Sequence, residues 1–261
     1  MISEPVEDPA VVVEGAAHPG PFVLLCDHAS NRIPERLGTL GLALADLNKH
    51  YAWDPGSLGV GRALAARLHA PLVRSTVSRL VIDCNRDPVD PDSIVTIGEK
   101  TPIPGNIALD PAERARRITE VYTPYHLAVA ALLDARKTSN RPSALISVHT
   151  FTPVLKGISR PWHIGLIHGK DATFALDVVA ALRQAPTLVV GLNQPYAPSD
   201  RVFRSLEQHG ETRGLPSIMI EIRSDLVTTP AEEAAWADRL APILQRALDR
   251  LTGTNHAGMT V

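Results

Sequence analysis

Short, nearly continuous apolar runs alternate along this chain with segments of helical periodicity. The first run is Pro21–Cys26, PFVLLC, and similar runs follow at Pro71–Ser75, Arg79–Cys84, Ala144–Val148, His163–His168, Thr187–Leu192 and Ser217–Arg223. Apolar runs of this length, bounded by turn residues, predict strands buried on both faces, as in a largely parallel sheet. Helices are predicted between them at Gly56–His69, from Asp110 to about Arg136, at Ala172–Arg183, and from Thr229 to about Leu251. Asp110-Pro111-Ala112-Glu113 and Thr229-Pro230-Ala231-Glu232 each offer an N-cap, a proline at the first helical position and a glutamate at the third. Pro124 falls inside the second helix and should kink or break it. Asn85–Asp110 is rich in Pro, Asp and Gly without periodicity, which for so long a loop points to a function. This alternation predicts an α/β fold in one catalytic domain over residues 1–261, with 1–18 and 252–261 expected to be flexible ends.

Composition narrows the function. A net charge of −2 gives no electrostatic footprint for nucleic acid or an anionic membrane. No apolar run approaches the ~20 residues of a membrane span. The acidic N-terminus lacks the basic and apolar regions of a signal peptide, so a cytoplasmic protein acting on a small molecule is expected. Cys26 and Cys84 sit in apolar runs without framework spacing and are read as buried, reduced thiols.

The ends of the apolar runs carry the candidate chemistry. His28 and His149 each follow a buried run, where an imidazole must find a partner or sit at a mouth; two of them make half of a zinc site, with a carboxylate and water to complete it. Asp54, in Trp53-Asp54-Pro55-Gly56, reads equally well as a cap of the next helix. Glu221 stands in the apolar run Ser217–Arg223, where a carboxylate is costly unless paired. Arg223, two residues on and on the same side, is one expected partner; the alternative is a general base whose pKa burial raises. Arg79 and Arg86 bracket Leu80–Asn85, and arginine forks with an asparagine amide suit carboxylate capture. His50, His69, His126, His163, His168, His209 and His256 have no comparable context and are read as surface or core residues.

Five ordered segments then resemble the N-formylglutamate amidohydrolase family: Cys26–Pro34, Trp53–Gly56, Ser78–Arg86, Ser147–Phe151 and Ile220–Leu226. The resemblance implies a three-layer α/β/α fold around a mixed, mostly parallel sheet, of the phosphorylase/hydrolase-like kind found in zinc carboxypeptidases and aspartoacylases. It implies one divalent ion, zinc, held by His28 and His149. It implies that Glu221 activates water, that Arg79 polarises the scissile carbonyl, and that Asn85 and Arg86, with Arg223, bind the substrate. The sequence departs from the carboxypeptidase pattern at Asn31, where a glutamate ligand would stand three residues after His28; Asp54 is the candidate replacement. A second departure is Asn193-Gln194-Pro195-Tyr196, where many relatives carry an acid before the proline, and this bears on substrate selection. The function implied is hydrolysis of N-formyl-L-glutamate or a close N-acyl amino acid. The alternatives are a metallo-amidase or carboxypeptidase with another N-acyl or peptide-like substrate, and a non-catalytic binding protein for acidic metabolites.

Overall fold

Six of the seven apolar runs become strands of one seven-stranded sheet in the structure, a computed structural model that describes residues 8–253. The strands are β1 (Val11–Glu14), β2 (Phe22–Cys26), β3 (Leu72–Ser75), β4 (Ala144–Phe151), β5 (Ile164–Ile167), β6 (Val190–Leu192) and β7 (Ser217–Arg223). Their order is β1-β3-β2-β4-β7-β5-β6. The β1/β3 and β7/β5 pairs are antiparallel and the other pairs parallel, which makes the sheet mixed and mostly parallel.

Alternation along β2 divides the core. Phe22, Leu24 and Cys26 face a layer built by α1 (Ser57–Leu68), α4 (Thr173–Leu182) and α6 (Pro230–Thr252). Val23 and Leu25 face the opposite layer, which holds α3 (Thr123–Thr138), α5 (Arg204–His209) and much of segment 77–103. Both faces being covered, the strand residues are apolar without alternation. The helix starts follow the predicted chemistry: Asp110 accepts from Ala112 N–H at 2.7 Å ahead of α2 (Pro111–Arg117), and Thr229 forms a capping box with Glu232 ahead of α6. The helix expected from Asp110 to about Arg136 is divided just before Pro124, which stands at the second position of α3. A π-helical turn at Ile118–Tyr122 joins α2 to α3 and absorbs the missing N–H.

Three expectations need correction. Residues 8–18, expected among the flexible ends, include β1, because Val11-Val12-Val13 is a β-branched run that pairs along β3. The remaining expected ends, 1–7 and 254–261, and with them His256, lie outside the described residues. Arg79–Cys84 is not a strand. The Ser78 hydroxyl accepts from Leu80 N–H at 3.2 Å and starts a turn. The carbonyls that follow are taken by side chains from the long loop and α2: Asn106 on Leu80 O and Arg117 on Val81 O. Thr187–Leu192 shortens to Val190–Leu192.

The loop at 85–110 is anchored by polar bonds where its sequence supplies few apolar ones. Arg117, almost fully buried, donates to Asn106 Oδ1 at 2.7 Å and Gly105 O at 3.1 Å, and pairs with Glu113 at 3.0 Å. Cys26 and Cys84 are free and buried. No helix among the described residues is long and apolar enough to cross a membrane.

Beneath the loop, His126 on α3 and His209 on α5 are bonded Nδ1 to Nε2 at 2.8 Å, and His126 Nε2 donates to Cys84 O at 2.9 Å. Burial, with His126 beside it, pushes the His209 imidazole down from 6.5 to about 4. Between those values the unfolded chain binds a proton that the folded chain does not. The His209 contribution to stability is therefore full above about pH 6.5 and falls toward pH 4, with a slope of up to about 1.4 kcal/mol per pH unit. A His209→Gln variant should show a flatter melting temperature across this window than the parent. Parallel curves would exclude His209 as the source of acid sensitivity.

Candidate active site

Three strands deliver the site. His28 follows β2, His149 lies near the carboxyl end of β4, and Glu221 stands on β7 in register with His149. Open α/β sheets place ligands at these strand ends, where side chains leave the ladder. Asp54 comes from the loop before α1, tied by its N–H to His28 O at 3.0 Å. It does not cap α1 with its side chain. The N-cap is Gly56, whose φ of 83° suits glycine. The Asp54 carboxylate instead faces the two histidines.

His149 Nδ1 lies 2.9 Å from Asp54 Oδ2, His28 Nδ1 lies 3.3 Å from the same oxygen, and the two nitrogens are 3.2 Å apart. All three side chains are buried, with candidate ligand atoms within 4.8 Å of one another. Two imidazole nitrogens facing at this distance repel as lone pairs, and repel again as N–H groups, unless a proton or cation lies between them. The far nitrogens are engaged elsewhere. His28 Nε2 donates to Asp83 Oδ1 at 2.7 Å; His149 Nε2 meets Ser147 Oγ at 2.8 Å and Asp27 Oδ2 at 3.5 Å. This leaves both Nδ1 atoms directed at Asp54, where a proton or a metal ion would sit between them. Asp54 Oδ1 has no hydrogen-bond partner. Two imidazoles and a carboxylate with a spare buried oxygen fit one divalent ion of the zinc type.

The electrostatics agree with a site made for a cation. Burial alone would raise the Asp54 pKa, but His28 and His149 outweigh it and hold the carboxyl well below its usual range. Burial opposes charge on His149, yet Asp27 and Asp54 keep its ring basic, at about 10. Glu221 behaves oppositely. Burial pushes its carboxyl up to about 7 against the pull of His149, and its Oε2 has no hydrogen-bond partner.

The other predicted residues divide. Arg79 reaches the cluster, with Nη1 3.5 Å from Asp54 Oδ1 and Nη2 2.7 Å from Asp83 Oδ2. Arg86 Nε is 3.4 Å from Asp83 Oδ2, and its Nη1 points at the Asp200 and Arg201 carbonyls at 3.5 Å. The Asn85 amide is turned onto the backbone, donating to Val202 O at 2.6 Å and accepting from Ser205 N–H at 3.1 Å. Arg223 does not pair with Glu221. Asp225 takes its Nε at 2.7 Å, because the chain turns into a 3-10 helix just after β7 and brings that carboxylate beside it.

Several site residues escape sequence reasoning. His50, read as an ordinary surface or core histidine, places Nε2 3.5 Å from Asp54 Oδ1 and bonds Thr150 O. Asp27 accepts a hydrogen bond from Tyr125 Oη. Asp83 and Ser147 lay inside recognised segments, yet nothing in their spacing marked them as supports of the histidines. Asp83→Asn should weaken metal binding by roughly 10–100-fold, since it removes the charge that orients and polarises His28. Competition against a chelator measures this, and an unchanged affinity would reduce the Asp83–His28 bond to a packing contact.

A mixed α/β sheet carrying a buried His-Asp-His group and a separate protonatable glutamate at its strand ends defines a hydrolase with a candidate metal centre. The family model of N-formylglutamate amidohydrolase matches residues 20–228. The chain belongs to this family, amidohydrolases acting on a linear amide. The crystal structure of the gene product Atu2144 from Agrobacterium tumefaciens is 41% identical, with a TM-score of 0.92 over 94% of this chain and 97% of that one. The N-formylglutamate amidohydrolase from Ralstonia eutropha JMP134 is 20% identical, with a TM-score of 0.62 over 94% of this chain and 100% of that one, a likeness of fold. No protein of curated function matches the sequence.

Proposed function

We propose that this protein hydrolyses the amide of N-formyl-L-glutamate or a close N-acyl amino acid, with one divalent ion, zinc first among candidates, held by His28, Asp54 and His149. The observation that carries the proposal is the convergence of both Nδ1 atoms on Asp54 with Glu221 buried and unbonded in the facing register position. An ion bound there supplies Lewis acidity toward the amide carbonyl and toward water.

The chain's own residues do the rest. Glu221 accepts a proton from the attacking water and returns it to the leaving amine, a task suited to a carboxyl with a pKa near neutrality. Arg79, held by Asp83, offers a fixed guanidinium to the oxyanion that develops on the carbonyl oxygen. Arg86 and Arg223 supply cationic character for substrate carboxylates. Asn85 acts through the loop it ties to Val202 and Ser205.

Formate release from N-formyl-L-glutamate by protein stripped of metal and then reloaded with zinc tests the reading. Turnover that vanishes with chelation and returns with zinc is expected. Tight binding of the substrate without turnover in any metal state would favour the binding-protein alternative, and turnover of short peptides alone would favour the carboxypeptidase one.

A further inference from the structure

We propose that Arg160, braced by Tyr196, is the specificity-determining residue that receives the side-chain carboxylate of an acidic N-acyl amino acid. The assignment rests on the function proposed above and deepens it.

Four arginines come from segments that meet at the site, and three of them already face a carboxylate. Arg79 pairs with Asp83 at 2.7 Å, Arg86 lies 3.4 Å from the same residue, and Arg223 pairs with Asp225 at 2.7 Å. Arg160 has no acidic partner among the described residues, although it is only 7% exposed. An arginine buried to that degree with no carboxylate facing it is costly, and an incoming anion would offset that cost.

Its surroundings fix its geometry. The guanidinium lies 4.7 Å from the centre of the Tyr196 ring and 5.8 Å from that of Phe151, and its Nη1 donates to Tyr196 Oη at 3.0 Å. The backbone is held as well: Arg160 N–H donates to Pro153 O at 2.8 Å. Aromatic faces hold an arginine flat and leave its planar edge for bidentate capture of a carboxylate. Tyr196 follows Asn193-Gln194-Pro195. The chain there passes so close to β5 that a Cβ on Gly165 would meet Gln194 O at 1.9 Å, which seats the Tyr196 loop against the sheet.

Position sets the length of the substrate. His149 faces Glu221 across β4 and β7, and the next pair on that side of the pleat is Phe151 and Arg223. Phe151, whose ring centre lies 5.8 Å from the Arg160 guanidinium, stands one pleat repeat, roughly 6–7 Å along the strands, beyond the His149–Glu221 row. In extended N-formylglutamate the acyl carbon and the side-chain carboxyl carbon are separated by about 6 Å. With the acyl carbon at the His-Asp-His group, a substrate extended along the strands points its far carboxylate toward the Phe151 end of the site, where Arg160 lies.

The test compares N-formyl-L-glutamate with the near-isosteric, uncharged N-formyl-L-glutamine on zinc-loaded enzyme. Arg160→Met should lower kcat/KM for the glutamate substrate by at least about 30-fold, with less than about threefold change for the glutamine one. Arg160→Lys, which keeps charge and stem, should retain part of the preference and serves if the methionine variant does not fold. Tyr196→Phe should shift the preference in the same direction by less. Equal losses on both substrates, or an unchanged preference in both Arg160 variants, would overturn the assignment while the proposed activity stands. A parent enzyme inactive on both substrates would overturn the proposed activity and this assignment with it.

Discussion

Glu221→Gln is expected to lower kcat by roughly 10²–10⁴-fold, the usual contribution of a positioned general base, with metal content unchanged. The reasoning begins with what Glu221 lacks. It lies in register with His149, but it belongs neither to the His-Asp-His group nor to an ion pair, and one of its oxygens has no hydrogen-bond partner. A carboxylate kept in such a place, in a strand whose other residues are almost all buried, has a cost to folding that structure does not recover. Glutamine matches its size and keeps an acceptor oxygen, but cannot carry a proton from water to the amine. The substitution removes a buried carboxyl without a compensating partner, so the melting temperature should hold or rise. Steady-state kinetics with metal analysis separate the outcomes. Lost turnover with stoichiometric metal assigns the proton transfer to Glu221, whereas lost metal would make it part of the ion's binding set. Unchanged turnover would remove it from the mechanism.

The strands of the catalytic edge were legible because burial on both faces leaves an unbroken apolar run. Ser217–Arg223 and the start of β4 at Ala144 follow directly from that signal. The same signal misled at Arg79–Cys84. Those residues are as buried as a strand, but their backbone groups are met by Asn106, Arg117 and Ser78, and side-chain partners leave no periodicity in the strand's own sequence. His28 and His149 could be found because each ends an apolar run. Asp54 could not be distinguished from a helix cap until Gly56 was seen to occupy that position. His50 and Asp83 support the centre from turns, where polar residues are ordinary. Arg160 gave no signal at all, because its distinction is the absence of a carboxylate nearby, which only a folded chain can show.

Asp54→Ala should abolish stoichiometric metal binding and activity together. Among the described residues Asp54 is the one carboxylate both histidines face, and it supplies the negative charge that would keep a cation between them. Without it the two Nδ1 atoms still lie opposite each other, but their mutual repulsion is opposed by no anion at the same distance. The loss should therefore exceed the roughly 10–100-fold expected when a residue behind a ligand is removed. Metal bound only to the native state stabilises it by about 2.7 kcal/mol at a free concentration a hundred times the dissociation constant. The parent protein should accordingly melt higher when zinc is added, and Asp54→Ala should show no such rise over the same range. An Asp54→Ala protein that still melts higher with zinc and still binds one equivalent would place the ion elsewhere. In that case Asp54 would act only to hold the histidines, and Asp83, bonded to His28 from the other side, would be the first carboxylate to test as the ligand.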